Sequence, residues 1–244
     1  MPPTRRQDLG RWLLALGALI AIAALAAGLG VLTVKGEAPP PFDTALVDDA
    51  TRWAVSHPGF VDGADMWSQA TYPWVMQSLL ALVAIGLVLA GAVGRRALAI
   101  LPLAWITWGL GSVTKVIVDR PRPGPQLIDV QYLSFPSGHA LNATLAIALI
   151  GVLLFAVVKG ATARLALALL GLAIVVITVL NRVVLGVHYP SDVIAGVLIG
   201  AASAAAIAWW LGGARMSERS SDPLMTRERA SGAVTTASDA RYPD

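Results

Sequence analysis

The sequence predicts an all-α polytopic membrane protein with six transmembrane helices and a short interfacial helix in its first outside loop. Hydrophobic residues make up 56% of the 244-residue chain and charged residues only 14%, whereas about a quarter of a soluble domain is charged. The apolar residues are gathered in six runs that suit a bilayer core, which needs roughly 20 residues per helix. The chain has no cysteine, which excludes disulfides and thiol catalysis.

The predicted spans form one membrane domain, residues 1–211, followed by a polar tail, 212–244, without apolar periodicity and predicted to be disordered. The first span could be a cleaved secretory signal, but its apolar run exceeds the roughly 7–15 residues of a signal core, which favours an anchor. Tryptophans near the ends of several spans are typical of an interfacial aromatic belt. The spans are residues 12–34, 73–93, 97–113, 140–158, 163–186 and 190–211.

The basic residues predict the orientation. With the amino terminus inside, twelve of the 18 Lys and Arg residues fall on the cytoplasmic side of the cell membrane. The positive-inside rule therefore predicts that both termini are cytoplasmic and that the polar residues described below lie outside. A net charge of +3 without a basic stripe does not indicate nucleic-acid binding, and the sequence gives no oligomeric state.

The outside loop between the first two spans is predicted to hold a short helix after three prolines. Asp43 or Thr44 could cap it, and its apolar face would lie in the membrane interface. Packing against the other helices and a role in admitting lipid are both open. The face consists of Leu46, Val47, Ala50, Trp53 and Ala54.

Two cations, Lys115 and Arg122, mark the outer end of the third span, and Pro123 follows them. A cation beside a bilayer is costly and is usually retained for function, although Lys and Arg at helix ends also extend to water. Asp119 and Arg120, between the two, are interpreted as loop charges rather than ligands.

The tetrapeptide 136–139, Pro-Ser-Gly-His, directly precedes the fourth span. Ser137 is a good helix cap, and Gly138 lets the backbone approach a ligand closely. The first amides of a helix are unpaired and lie at the positive end of its dipole, so this is a ready anion site. His139 would lie beside the anion and could protonate a leaving oxygen, although the tetrapeptide alone also fits an ordinary helix start.

Three further polar residues surround the junction of the fifth and sixth spans. Arg182 follows a long apolar run, with only Asn181 polar before it, so an anion must compensate its charge. Asp192 could accept the proton on one ring nitrogen of His188 and leave the other nitrogen free, as the acid does in a nucleophile–base–acid triad. The alternative is an Arg182–Asp192 ion pair with a bystander histidine.

In these residues the chain resembles the type 2 phosphatidic acid phosphatase superfamily of membrane lipid phosphatases. The family pattern has three motifs. The first two, Lys, six residues, Arg-Pro and then Pro-Ser-Gly-His, are matched completely by residues 115–123 and 136–139. The third, Ser-Arg, five residues, His, three residues, Asp, is matched at residues 182, 188 and 192. This chain departs from the third motif at Asn181, where the family usually has Ser.

The resemblance implies a catalytic role for each matching residue. His188 would attack phosphorus and form a phosphohistidine, with Asp192 fixing its tautomer. His139 would protonate the leaving group and then activate water. No metal or other cofactor is implied. The phosphate oxygens would be held by five groups: Lys115, Arg122, Ser137, the Gly138 amide and Arg182.

The function predicted is hydrolysis of a lipid phosphate or pyrophosphate whose chain stays in the bilayer. Undecaprenyl pyrophosphate, phosphatidylglycerophosphate and phosphatidate all fit, and the first is slightly favoured. Phosphotransfer to another alcohol is an alternative. A vanadate-dependent haloperoxidase shares this pocket but has a large soluble body. An anion transporter would need polar groups through the depth of the membrane, and here they cluster near one face.

Overall fold

The computed structural model describes residues 5–35, 39–124 and 126–220, and within these ranges every regular element is a helix. The all-α prediction is therefore confirmed. A short 3₁₀ helix, Arg95–Ala99, precedes the fifth α-helix. The α-helices are α1 (Arg5–Val34), α2 (Pro41–Val55), α3 (Pro58–Ala70), α4 (Pro73–Leu89), α5 (Ile100–Val118), α6 (Gly138–Val157), α7 (Ala161–Val184) and α8 (Pro190–Ser220).

Five of these helices, α1 and α5 to α8, are long and apolar enough to cross a membrane. A sixth candidate span is the pair of α3 and α4, which are bent by 50° at the short break between them. The polytopic membrane fold is thus confirmed, with five to six candidate spans. The third predicted span ended too early. Helix α5 continues to Val118 rather than ending near residue 113, so Lys115 lies inside its last turn.

Local sequence signals set where several helices begin and end. Proline is the first residue of α2, α3, α4 and α8, a position where its missing N–H leaves no helical hydrogen bond unmade. Ser137 caps α6, since its side-chain oxygen accepts from the backbone N–H of Ala140 at 3.5 Å. Helix α5 ends at Asp119, which adopts the left-handed conformation (φ 53°) that Asp tolerates better than most residues.

Helix α6 is central to the bundle and packs on α4, α7 and, most extensively, α8. A Cβ at Gly196 of α8 would lie 2.6 Å from the Ser137 carbonyl oxygen, and one at Gly200 2.5 Å from that of Leu141. This spacing of small residues lets the two backbones touch. The Ser137 N–H also donates to the Asp192 carbonyl at 3.0 Å, which fixes the start of α6 against the start of α8.

The segment between the first two predicted spans contains two helices where one was predicted. Helix α2 has no side-chain cap, and Asp43, one of the two predicted caps, is instead fully buried. The predicted apolar face is divided, because Val47 and Ala54 are buried whereas Leu46 and Trp53 are about half exposed. Helix α2 packs against α7 and α8, so its buried face is a contact with other helices.

Helix α3 was not predicted, because residues 58–70 mix glycine, acidic and apolar residues without a clear helical period. It packs against α7 and leads directly into α4. At the other end of the chain, α8 continues past residue 211 to Ser220, and residues 221–244 of the predicted tail lie outside the described residues.

Candidate active site

A cavity of about 450 Å³ lies where α5 ends, α6 begins and α7 meets α8. Apolar residues of α4 and α5 contribute to its lining, among them Pro73, Trp108 and Val116. Two predicted site residues, Ser137 and Asp192, are fully buried and do not line the cavity. The other six predicted residues all line it: Lys115, Arg122, Gly138, His139, Arg182 and His188.

Lys115 connects α5 to the loop that precedes α6. Its Nζ donates to the carbonyl oxygens of Leu133, Ser134 and Pro136 at 2.9, 3.2 and 2.6 Å. Carbonyl oxygens orient the ammonium group but do not cancel its charge. Lys115 therefore fixes this loop at the cavity wall.

Arg122 links the loop between α5 and α6 to the loop between α7 and α8. Its Nε donates to the Tyr132 carbonyl at 2.8 Å and its Nη1 to the Val187 carbonyl at 2.5 Å. The same Nη1 lies 3.1 Å from Nε2 of His188, which places the guanidinium beside the ring nitrogen that faces the cavity. Burial lowers the pKa of Arg122 from its ordinary value.

The start of α6 forms another part of the cavity wall. Gly138 is partly exposed, and a Cβ there would meet nothing within 4 Å, so a ligand can approach its backbone. The positive end of the α6 dipole lies at this position. The arrangement suits an anion held by backbone amides.

His139 is held by Ser68 of α3 and by Tyr72, which directly precedes α4. Its Nε2 lies 3.2 Å from the carbonyl oxygen of Ser68, and its ring packs edge-on against Tyr72 at a centroid distance of 5.4 Å. A carbonyl oxygen can only accept, so Nε2 carries a hydrogen in this contact. The other ring nitrogen, Nδ1, is then the atom that can exchange a proton with a ligand.

Arg182 is buried on α7, with 1% of its surface exposed. Its Nη1 donates a short hydrogen bond to the hydroxyl of Ser68, and among the described residues its Nε has no partner. No carboxylate of the described residues lies within salt-bridge distance of it, so the predicted alternative of an Arg182–Asp192 ion pair is wrong. This N–H therefore remains available to an acceptor oxygen.

His188 directs its two ring nitrogens to different partners. Nε2 faces Arg122 and the cavity, whereas Nδ1 lies 3.4 Å from the Ser134 hydroxyl and 3.6 Å from Oδ2 of Asp192. The second distance is longer than a hydrogen bond, so the carboxylate reaches the ring through Ser134, which donates a short hydrogen bond to the same Oδ2. Burial, and then the charges of Lys115 and the two arginines of the cavity, lower the pKa of His188 well below its ordinary value.

Arg120 lies in the loop after α5 and does not line the cavity, in agreement with its interpretation as a loop charge rather than a ligand, but it is buried. Arg120 is 2% exposed and forms two buried ion pairs, from Nη1 to Asp192 at 2.6 Å and from Nη2 to Asp43 at 2.8 Å. Its guanidinium also lies 4.2 Å from the ring centroid of Tyr189. Asp43 further accepts from the backbone N–H and the hydroxyl of Ser191. Arg120 thus joins α2 to the start of α8.

Four contributing residues were missed from the sequence: Asp43, Ser68, Arg120 and Ser134. Arg120 offered one signal, since a cation that directly follows the end of a membrane helix needs a partner. The two serines gave none, because hydroxyls are common and their partners are far away in sequence. Among the described residues, no three His, Cys, Asp or Glu side chains are grouped closely enough to hold a metal ion.

Comparison with protein families finds a match to the PAP2 superfamily over residues 78–216, more than half of the chain. Among solved structures, a transmembrane PAP2-type phosphatidylglycerolphosphate phosphatase from Bacillus subtilis is similar in fold. Its TM-score is 0.60 at 20% identity, and the match covers 85% of this chain and 98% of that one.

Curated relatives are more similar in sequence. Decaprenylphosphoryl-5-phosphoribose phosphatase of Mycobacterium tuberculosis is 35% identical over 121 residues, which is 48% of this chain and 61% of that protein. The protein of the same name from Mycolicibacterium smegmatis is 35% identical over 169 residues, covering 66% of this chain and 83% of that one. Phosphatidylglycerophosphatase B of Bacillus subtilis is 30% identical over 93 residues, which is 37% of this chain and 46% of that protein.

Proposed function

This chain belongs to the PAP2 superfamily, and on that premise we propose that it is an integral membrane phosphatase for a lipid phosphate. One observation carries the proposal. Six of the motif residues line a single cavity, together with several apolar side chains. Among its described lining residues are three cations and no carboxylate, so the cavity suits a phosphate whose lipid chain stays in the bilayer.

The proposed first step is an in-line attack by Nε2 of His188 on phosphorus. A P–N bond forms, the P–O bond to the lipid breaks, and His139, which enters this step as an imidazolium with its Nε2–H on the Ser68 carbonyl, gives its Nδ1 proton to the leaving oxygen. The lowered pKa of His188 supports this role, because the ring stays neutral and nucleophilic at neutral pH. Ser134 and Asp192 hold the opposite ring nitrogen and stabilise the positive charge that the ring acquires.

In the second step His139 accepts a proton from water, the water oxygen attacks phosphorus, and the P–N bond breaks to release inorganic phosphate. Lys115, Arg122 and Arg182 stabilise the charge on the phosphoryl oxygens in both steps. Preorganised charges of this kind are usually the largest catalytic contribution, and loss of one donor typically lowers the rate by about 10²–10³-fold.

The substrate that we propose first is a prenyl-linked lipid with a phosphorylated sugar head, such as decaprenylphosphoryl-5-phosphoribose. The two mycobacterial relatives named for that substrate are 35% identical to this chain. Phosphatidylglycerophosphate is the second candidate, since a relative named for it is 30% identical. Undecaprenyl pyrophosphate remains a prediction from the sequence motifs alone, as does transfer of the phosphoryl group to another alcohol.

We propose further that the site faces the outside of the cytoplasmic membrane and that both termini are cytoplasmic. Successive spans alternate in direction, so the end of α5, the start of α6 and the α7–α8 junction share one side. Because the natural chain has no cysteine, single cysteines report topology cleanly. Gly124→Cys should react with a membrane-impermeant maleimide in intact cells, and Gly94→Cys, between α4 and α5, should react only after lysis.

The activity is tested by phosphate release from a panel of these lipids in detergent with a chelator present. Wild type should release phosphate, His188→Ala should abolish turnover, and His57→Ala, which changes an exposed histidine that does not line the cavity, should not. Asp192→Asn should reduce turnover strongly. Phosphate release by His188→Ala within a few-fold of wild type would refute the nucleophile. Vanadate binding without release from any lipid would favour an anion-binding protein instead.

A further inference from the structure

We infer that Ser68 on helix α3, which lies outside the residues matched by the family, is a positioning residue for both Arg182 and His139. The inference rests on the proposed function and deepens it, because it explains how a buried arginine without a carboxylate partner is kept in the orientation that phosphate requires. Ser68 does not line the cavity and is 3% exposed, so it acts through its two neighbours rather than on the substrate.

The hydroxyl of Ser68 stands between two side chains of α7. It accepts the short hydrogen bond from Nη1 of Arg182 and donates to Oδ1 of Asn181 at 2.9 Å. Because a hydroxyl has one proton, donation to Asn181 turns its lone pairs toward Arg182. Asn181 thus orients the serine, and the serine orients the arginine.

The carbonyl of the same residue faces His139, with its oxygen 3.2 Å from Nε2. One residue of α3 therefore contacts both a phosphate-binding cation and the proposed acid. The side chain holds the cation and the main chain selects the histidine tautomer. A shift of α3 would move both groups together.

Helix α3 is fixed on α7 by two further hydrogen bonds beside this one. Nε1 of Trp67 donates to the Thr178 hydroxyl at 3.1 Å, and Nδ2 of Asn181 donates to the Ala64 carbonyl at 2.7 Å. The Trp67–Thr178 bond joins the same two helices without contacting the cavity, which makes it a matched control for a purely structural role.

Arg182 requires such support more than the other cations do. An arginine side chain loses rotamer entropy when it is held in one orientation, and here no carboxylate of the described residues restrains it. Its free Nε must nevertheless present its N–H toward a phosphate oxygen. A misplacement of about 1 Å can lower a rate by about 10²-fold.

The test compares Ser68→Ala with Thr178→Val in the full chain. Ser68→Ala should lower kcat/KM for the lipid by about 10²-fold and weaken vanadate binding by about tenfold, the loss of one well-aligned charge-assisted hydrogen bond. Thr178→Val should leave both within about twofold, although it removes an α3–α7 hydrogen bond of its own. Equal losses in the two variants would show that α3 is only a structural support and overturn the inference.

A double-mutant cycle tests whether Ser68 acts through Arg182. In an Arg182→Met background, Ser68→Ala should weaken vanadate binding no further; an undiminished tenfold effect would contradict the inference. Asn181→Ala keeps the serine but removes the oxygen that orients it, so it should weaken vanadate by a smaller factor, and serves if Ser68→Ala does not fold. Vanadate binding does not depend on turnover, so it tests the positioning role even if no lipid is hydrolysed.

Discussion

Two arginines of this protein are buried to the same extent but have different partners. Arg120, in the loop after α5, is 2% exposed and paired with two carboxylates, whereas Arg182, on α7, is 1% exposed and bonded to a single hydroxyl. Removing a cation from water is expensive in either place. The first arginine is compensated by two carboxylates, whereas no carboxylate of the described residues pairs with the second.

The contrast shows that burial of a cation does not by itself mark a ligand site. Arg120 holds Asp192 in place behind the cavity and ties α2 to α8, so we assign it a positioning and structural part. Arg182 lines the cavity with an N–H that has no partner among the described residues. The partners of each guanidinium, rather than its depth, separate the two roles.

The largest difference is expected in stability. Arg120→Met should lower the free energy of unfolding by about 3–5 kcal/mol, because two buried carboxylates lose their partner. Arg182→Met should change it by about 1 kcal/mol or less, since it removes a buried charge that no carboxylate of the described residues neutralises. Unfolding in mixed detergent micelles measures both, and a larger loss in Arg182→Met would reverse the comparison.

For turnover, Arg182→Met should have a larger effect than Arg120→Met, the reverse of their order in stability. Per folded molecule, Arg182→Met should lower kcat/KM by about 10²–10³-fold, as expected for one donor that stabilises transition-state charge. Arg120→Met should lower it less, because Asp192 keeps its hydrogen bonds from Ser134 and the Tyr189 N–H. Phosphate release normalised to the folded fraction separates the two variants. Equal losses would mean that Arg120 also acts on the phosphate.

A smaller effect is expected at the ring that stacks on Arg120. Tyr189→Leu removes the cation–π contact at 4.2 Å and should lower the free energy of unfolding by about 0.5–2 kcal/mol. Tyr189→Phe retains an aromatic face and serves as the matched control. A Tyr189→Phe variant as unstable as Tyr189→Leu would assign the effect to the hydroxyl rather than to the stacked cation.

The smallest expected effect is on the titration of His188. Its pKa is lowered by burial and by the charges of Lys115, Arg122 and Arg182, in that order. Arg182→Met should therefore raise this pKa and move the acid limb of activity to higher pH, whereas Arg120, already neutralised by two carboxylates, should contribute no comparable shift. Histidine NMR can follow it, because the chain has only three histidines and His57→Gln leaves two.

The same pKa fixes the sign of one pH effect on stability. Because the pKa of His188 is lower in the folded protein than its ordinary 6.5, the unfolded chain binds the extra proton first as the pH falls. The contribution of the neutral ring to stability is therefore present above pH 6.5 and is lost as the pH drops toward the folded-state pKa. His188→Gln should flatten this part of the stability profile, and an unchanged profile would contradict the assignment.

Much of the architecture followed from the sequence. The apolar runs predicted the membrane helices, because a bilayer imposes a length and a composition on whatever crosses it. The motif residues fell at helix ends because Pro190, Ser137 and the αL-tolerant Asp119 are local signals for starts and stops. These signals act within a few residues, so they can be recognised in the amino-acid sequence alone.

The partners of the charged groups did not follow from the sequence. Asp43 and Arg120 are separated by 77 residues and Ser68 and Arg182 by 114, and nothing local to either pair records that they meet. The sequence by itself determined a membrane bundle with cations and histidines gathered at helix ends. Only the tertiary structure decided which arginine is paired with carboxylates and which keeps an N–H without a partner among the described residues, because charge compensation depends on distances in space that the order of residues does not contain.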